Sequence, residues 1–245
     1  MFQGILHEHR QVWQQKPVLR AIYHDFYERI LSVCREGRSL EIGGGSGNLK
    51  EYRHDVVTTD IVTTPWLDAV ADAQQLPFAN NSFANVVAVD VLHHIEHPVH
   101  FLYEARRVLS SRGRIVLVEP GISPVSWVFY RLFHPEPVNM DADPFTVGVQ
   151  NAAKDPFDAN QAIPTLLFDR YRQRFEARFP DLKIVRFERF SFFAYPLSNK
   201  FRSWSLIPAH LVKPLLILER RLSLVLGPWM SFRLFVVLEN SKLER

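Results

Sequence analysis

The sequence predicts an α/β fold: a doubly wound, Rossmann-like, seven-stranded and mostly parallel sheet whose last strand runs antiparallel. Three observations predict it. Strand-like runs at 40–42, 56–60, 83–90 and 113–120 alternate with segments of helical spacing, the rhythm of a parallel sheet covered by helices. These runs are largely apolar, as strands buried on both faces require. The first of them also leads straight into the glycine-rich stretch Gly43-Gly44-Gly45-Ser46-Gly47-Asn48.

That turn is the element around which the rest is arranged. Gly43, Gly45 and Gly47 can adopt φ > 0, and they let a ligand approach a backbone that carries no Cβ. A helix is expected to follow, with backbone N–H groups facing a ligand at its start. The dinucleotide spacing Gly-x-Gly-x-x-Gly is broken at Asn48, and no Gly-Lys-Ser/Thr ending marks a phosphate loop. Asp60, Asp72 and Asp90 each fall at or just beyond the carboxyl end of an expected strand, where open α/β sheets bind ligands. An acid in the position of Asp60 suits ribose hydroxyls.

Taken in order, the pieces resemble the class I S-adenosylmethionine-dependent methyltransferases, in the type 11 group that acts on small molecules. They are Glu41-x-Gly43-x-Gly45-x-Gly47, the strand ending in Asp60, Asp72-Ala73-x-x-Leu76-Pro77-Phe78, the run from Ser82 to His94, the helical 101–109 and the strand 113–120. The resemblance spans 38–120 and departs at two positions, with Ala84 in place of an Asp and Ser111-Arg112-Gly113 in place of Pro-Gly-Gly. It implies S-adenosyl-L-methionine as cofactor. Asp72 and the Ala73 backbone would meet the adenine edge and Asp60 the ribose, with Ile61 a further cofactor-binding candidate. Glu41, Gly43, Gly44, Gly45, Gly47, Asp90 and Val91 complete the expected cofactor site.

With 245 residues and 47% hydrophobic content, the chain suits one domain with elaborations. We expect a helical cap at 1–37 and a methyltransferase domain at 38–245, with insertions at about 121–163 and 197–229. A single cysteine, Cys34, excludes an internal disulfide framework and fits a reducing, cytoplasmic compartment. The first residues lack a basic region followed by a long apolar run, so no signal peptide is expected. A net charge of +3 is too mild to imply nucleic acid.

The cap reads as helical over 11–35 with a break before Pro17, and His7, His9, Trp13 and Tyr23 are its candidates for a pocket roof. His93 and His94 follow the fourth strand and suit pocket lining, a general base or a metal ligand. No second ligand cluster is evident, so no metal is expected. Glu119 and His134 join His93 and His94 as candidate bases. The segment after the fifth strand begins as a helix over 124–133, with Ser123 as N-cap and Pro124 in its first position. It can fold over the methyl group, and Tyr130, Arg131, His134 and Glu136 are its candidate acceptor-binding residues. A helix over 164–179 and strands at 182–193 and 231–239 complete the sheet.

Pro214 to Leu226 reads as an unusually apolar helix bounded by Pro214 and by Gly227-Pro228. At about 13 residues it is shorter than the ~20 that a bilayer requires. A cap over the pocket, a homodimer face or peripheral membrane contact through 201–226 would each use it. The expected activity is methyl transfer to a small hydrophobic, lipid-linked or glycan-linked acceptor. The alternatives are a non-catalytic, cofactor-binding partner subunit and, behind it, a nicotinamide-dependent oxidoreductase.

Overall fold

The computed structural model describes residues 2–149, 151 and 153–241. Seven strands form one sheet: β1 (Ser39–Ile42), β2 (Val56–Asp60), β3 (Ala69–Val70), β4 (Phe83–Val89), β5 (Leu109–Pro120), β6 (Leu182–Phe190) and β7 (Arg233–Asn240). Their order is β3-β2-β1-β4-β5-β7-β6. The first five run parallel, and β7 is antiparallel to both β5 and β6, as expected for the last strand.

Both sheet faces are buried, and β5 shows how. Ile115 and Leu117 point into one core with Phe101, Leu102 and Phe168, whereas Val116 and Val118 point into the other with Phe26, Ile30 and Phe235. The period of two divides one apolar run between two layers. The first core is closed by α3 (Pro98–Val108) and the helical stretch near 163–178. The second is closed by α1 (Phe2–Gln15), α2 (Pro17–Val33) and the long C-terminal helix described below. Pro17 opens α2 as its first residue, so the expected break falls where the ring forbids continuation of α1.

Several elements differ from the expectations. The helix after the glycine turn is a single 3-10 turn, Leu49–Glu51. Only four residues separate it from β2, too few for an α-helix and its return. The 164–179 helix is broken into α5 (Ile163–Thr165), a π-turn over Leu166–Arg170 and α6 (Arg172–Arg178). Arg112, in the Ser111-Arg112-Gly113 departure, takes a left-handed φ of 58°, and β5 already begins at Leu109. By contrast α4 (Pro124–Phe133) has the predicted bounds, and Ser123 caps it by accepting from the Ser126 backbone N–H.

The strand β6 is followed by α7 (Ala194–Ser198) and by α8 (Ala209–Met230), which is 22 residues long and not 13. Pro214 is the sixth residue of α8 and Pro228 lies in its last turn, so neither proline bounds the helix. Glu219 explains part of its docking. Its Oε1 accepts the Phe193 and Ala194 backbone N–H groups (2.6 and 2.7 Å), tying α8 to the start of α7. Among the described residues no helix is long and apolar enough to cross a membrane.

Candidate functional site

The carboxyl ends of β1, β2 and β4 open into one cavity of about 1250 Å³. At one end lies the glycine turn. Gly43, Gly45 and Gly47 all have positive φ (64°, 48° and 75°), so side chains would strain the turn at each of them. A Cβ on Gly43 would stand 2.3 Å from Val91 Cγ2, which fixes β1 against the end of β4. At Gly45 a Cβ would meet nothing closer than 3.8 Å, so the backbone is bare toward the cavity. The turn is held from behind: Gly45 N–H donates to Asp60 Oδ2 (3.0 Å), Trp66 Nε1–H to Gly45 O (2.8 Å), and Arg10 Nη1 to Ser46 O (2.7 Å).

Glu41, Gly43, Gly44, Gly45, Asp60, Ile61, Asp72, Ala73, Asp90 and Val91 all line the cavity. Gly47 does not. Its N–H donates to Gly44 O, and a Cβ there would stand 2.7 Å from Trp66 Cδ1, so its role is to shape the turn. Burial, with Asp60 close by, pushes the Glu41 carboxyl up to about 8, and Glu41 Oε2 is buried without a hydrogen-bond partner. Burial also raises Asp60, against the N–H groups of Val62 and Gly45 that its carboxylate accepts.

Deeper in, Arg233 on β7 reaches Asp90. Its Nη2 donates to Asp90 Oδ2 (2.8 Å), Nη1 pairs with Oδ1, and the guanidinium stacks 4.0 Å over the Tyr195 ring. Asp90 itself holds a left-handed φ of 59°. Burial opposes its ionisation, but Arg233 and His93 hold its carboxyl below the ordinary range.

His93 stands between two carboxylates. Its Nδ1–H donates to Glu119 Oε2 (2.8 Å), and its Nε2 faces Glu136 Oε2 at 3.5 Å. Burial works against the charge, but these two acids raise His93 to about 9, so it is an imidazolium at neutral pH. Glu119 is fully buried and lies outside the cavity. Its Oε1 accepts the N–H groups of Val91 and Leu92 (2.8 Å each), which leaves it a positioning group and removes it as a base. Burial and the His93 charge push His94 down to about 4, and His94 Nδ1 is buried without a partner. Burial and Lys200 likewise push His134 down to about 4. Burial resists, but the surrounding histidines draw Glu136 down to about 2.

His93, His94 and Glu136 each offer a ligand atom within 4.8 Å of one another, the donor types of a two-histidine, one-carboxylate metal site. Sequence spacing could not show that Glu136 returns to the histidine pair. His93 meets Glu119 through Nδ1 and Glu136 through Nε2, and Glu136 also accepts from the Gln161 amide, which joins the cluster in an ion-pair network.

Of the acceptor candidates, His134 and Glu136 line the cavity. Tyr130 is buried behind it, its hydroxyl donating to Phe232 O (2.9 Å), and Arg131 is exposed and stacked on Trp127. Both belong to the segment expected to fold over the methyl group, but they lie on faces of α4 turned away from the cavity. Of the roof candidates His9 and Tyr23 line the cavity, whereas His7 packs on Trp66 and Trp13 is buried with its Nε1–H on Glu51. Arg233, Lys200 and Tyr195 were missed. The one available signal was a charged residue inside the apolar run 232–238, where a buried arginine demands a partner. The outer wall is apolar: Phe129, Phe133, Phe201, Trp204 and Leu206.

Residues 40–117 match the model of a family described as a methyltransferase domain. No curated protein matches the chain. Among solved structures, a Thermotoga maritima protein described as an S-adenosylmethionine-dependent methyltransferase, possible histamine N-methyltransferase, is 13% identical; 98% of each chain is covered, with a TM-score of 0.58. A chain of the Haloferax volcanii complex between the Trm112 methyltransferase activator and a protein described as a methyltransferase is 14% identical, covering 100% of this chain and 97% of that one, TM-score 0.55. An Archaeoglobus fulgidus S-adenosylmethionine-dependent methyltransferase is 12% identical over 90% of this chain and 94% of its own, TM-score 0.53. At these identities the likeness is one of fold.

Proposed function

We propose, from the match of residues 40–117 to the model of a methyltransferase domain, that the chain is a class I S-adenosylmethionine-dependent methyltransferase and transfers the methyl group to a hydrophobic small molecule or lipid-linked acceptor. One observation carries this reading: a single cavity of about 1250 Å³ joins the glycine turn to an aromatic wall. Ordinary small-molecule sites occupy ~300–1,000 Å³, so this one has room for cofactor and acceptor together.

The residues fit the cofactor. The bare Gly45 backbone admits a ligand, and the partnerless Glu41 Oε2 offers an acceptor for a cationic amino group. Asp60 keeps unused lone pairs for ribose hydroxyls, and Asp72 with Ala73 borders the adenine end. The bound cofactor supplies an electrophilic methyl group. The chain's task is then to hold the acceptor in line and keep water out, a contribution worth up to ~7–11 kcal/mol when orientation is complete. The Arg233–Asp90 pair fixes the floor at the end of β4, and His93 joins that floor to the insertion through Glu136. His94, uncharged at neutral pH, is placed to orient an acceptor hydroxyl or amine. With a value of about 4 it takes little of a proton, so alignment carries the rate.

The test is incubation of the purified chain with S-adenosylmethionine labelled on its methyl group and a fractionated cell extract. Label in the organic-phase lipids or apolar metabolites supports the reading; label confined to nucleic acid or protein overturns it. A second reading, a cofactor-binding partner subunit without catalysis, is favoured by the apolar face of α8, where Leu224 is 92% exposed. Label in no fraction, with a stable partner co-purifying, would favour that reading.

A further inference from the structure

The exposed large apolar side chains concentrate in one region. On α4 they are Val125, Trp127, Val128, Leu132 and Phe133; between α7 and α8 they are Trp204 and Leu206. On α8, Leu211, Leu218, Val225 and Trp229 are spaced by 7, 7 and 4, which stacks them along one side of the helix. The helices α4 and α8 pack against each other, so the groups adjoin. A folded chain does not leave three tryptophans and this much aliphatic surface in water without a use.

Charge selects the occupant. The exposed ionised side chains of α4, 199–208 and α8 are Arg131, Arg202, Lys213, Arg220 and Arg221, all basic. The one acid in these segments, Glu219, is buried against the start of α7. Arg220 pairs with Asp25 of α2, and the other four have no ion pair among the described residues. Apolar and tryptophan side chains on segments whose exposed charges are all basic complement an interface of acyl chains beneath anionic headgroups. Phe133, Trp204 and Leu206 belong both to this face and to the cavity wall, so the cavity opens where the face would touch lipid.

We infer that the face formed by α4, residues 204–206 and α8 docks on an anionic lipid surface, from which an acceptor enters the cavity. The second half of that statement rests on the proposed methyl transfer; the docking does not.

The experiment is co-sedimentation of the full chain with vesicles of phosphatidylcholine alone or mixed with phosphatidylglycerol. The wild type should pellet with the anionic vesicles and be released by raised salt. The variant L218E/V225E should lower the partition by about tenfold, and K213E/R221E by about 25-fold or more, since each cation near an anionic surface is worth about fivefold. All four sites are exposed, and unchanged melting curves will show that the variants fold. Recovery of the wild type in the supernatant with both vesicle types overturns the inference. So does light scattering that gives a dimer split by L218E/V225E with no vesicle binding, because a second copy is then the occupant. Vesicle binding without any labelled lipid leaves the docking standing and removes the lipid acceptor.

Discussion

The buried Arg233 in the last strand and the half-buried Asp90 at the end of β4 form an ion pair across 143 positions of sequence, with Arg233 Nη2 2.8 Å from Asp90 Oδ2. Arg233 is 1% exposed, and Tyr195 covers its guanidinium while Tyr23 donates to the same Asp90 oxygen (3.4 Å). The pair joins the antiparallel strand β7 to the strand end that forms the cavity floor. Replacing one partner strands the other charge, so Asp90→Asn should cost ~3–5 kcal/mol of unfolding free energy in urea titrations. Arg233→Lys keeps the charge and should lose less, the part owed to geometry, because an ammonium cannot both fork onto the carboxylate and stack on the ring.

Two of the cavity-lining glycines should respond differently. Gly43→Ala drives a Cβ into Val91 as well as straining a left-handed φ, so it should lower stability by ~2–3 kcal/mol. Gly45→Ala has open space and should cost only the conformational strain, ~1 kcal/mol. Its methyl group points at the cavity, so its larger effect should be on S-adenosylhomocysteine affinity. Calorimetric titration alongside urea unfolding separates the two.

Two groups tie stability to pH in the same direction. Burial raises Glu41 from its ordinary value of 4.5 to about 8, and Glu119 with Glu136 raises His93 from 6.5 to about 9 against burial. A raised folded-state value contributes stability fully below the unfolded value and loses it as pH climbs through the folded one. Unfolding free energy should therefore fall between about pH 4.5 and 8 through Glu41, and between about 6.5 and 9 through His93. Glu41→Gln should remove the first decline. The His93 ring protons, followed by NMR, should titrate near 9, and nearer the ordinary value in Glu119→Gln.

Lys16 anchors the cavity roof. Its Nζ, with three N–H donors, lies within hydrogen-bond distance of four carbonyls: Ser198 (2.5 Å), Lys200 (2.7 Å), Arg202 (2.7 Å) and Trp204 (3.0 Å). One ammonium at the joint between α1 and α2 thus closes a loop in which Asn199 and Lys200 both have positive φ. Lys16→Met leaves those carbonyls without their donor. It should accelerate amide hydrogen exchange over 198–206 while leaving β1, β4 and β5 protected.

What could be read from sequence was what is local. Gly43, Gly45 and Gly47 announce positive φ by residue type, and Ser123-Pro124 sets a helix start within four residues. The Arg233–Asp90 pair, the return of Glu136 to His93 and the capture of four carbonyls by Lys16 join segments between 43 and 188 positions apart, and no periodicity encodes them. Pro214 misled for a different reason. Near the N-terminus of a helix a proline forfeits one N–H donor, and packing of Val212 and the buried Glu219 outweighs that loss.

The most direct measurement is a crystal structure of the chain with S-adenosylhomocysteine. The ligand is predicted to lie across the cavity floor with its amino acid end over Gly43–Gly45 and Glu41, its ribose at Asp60 and its adenine beside Asp72 and Ala73. Electron density for the ligand away from both the glycine turn and Asp60 would contradict the account.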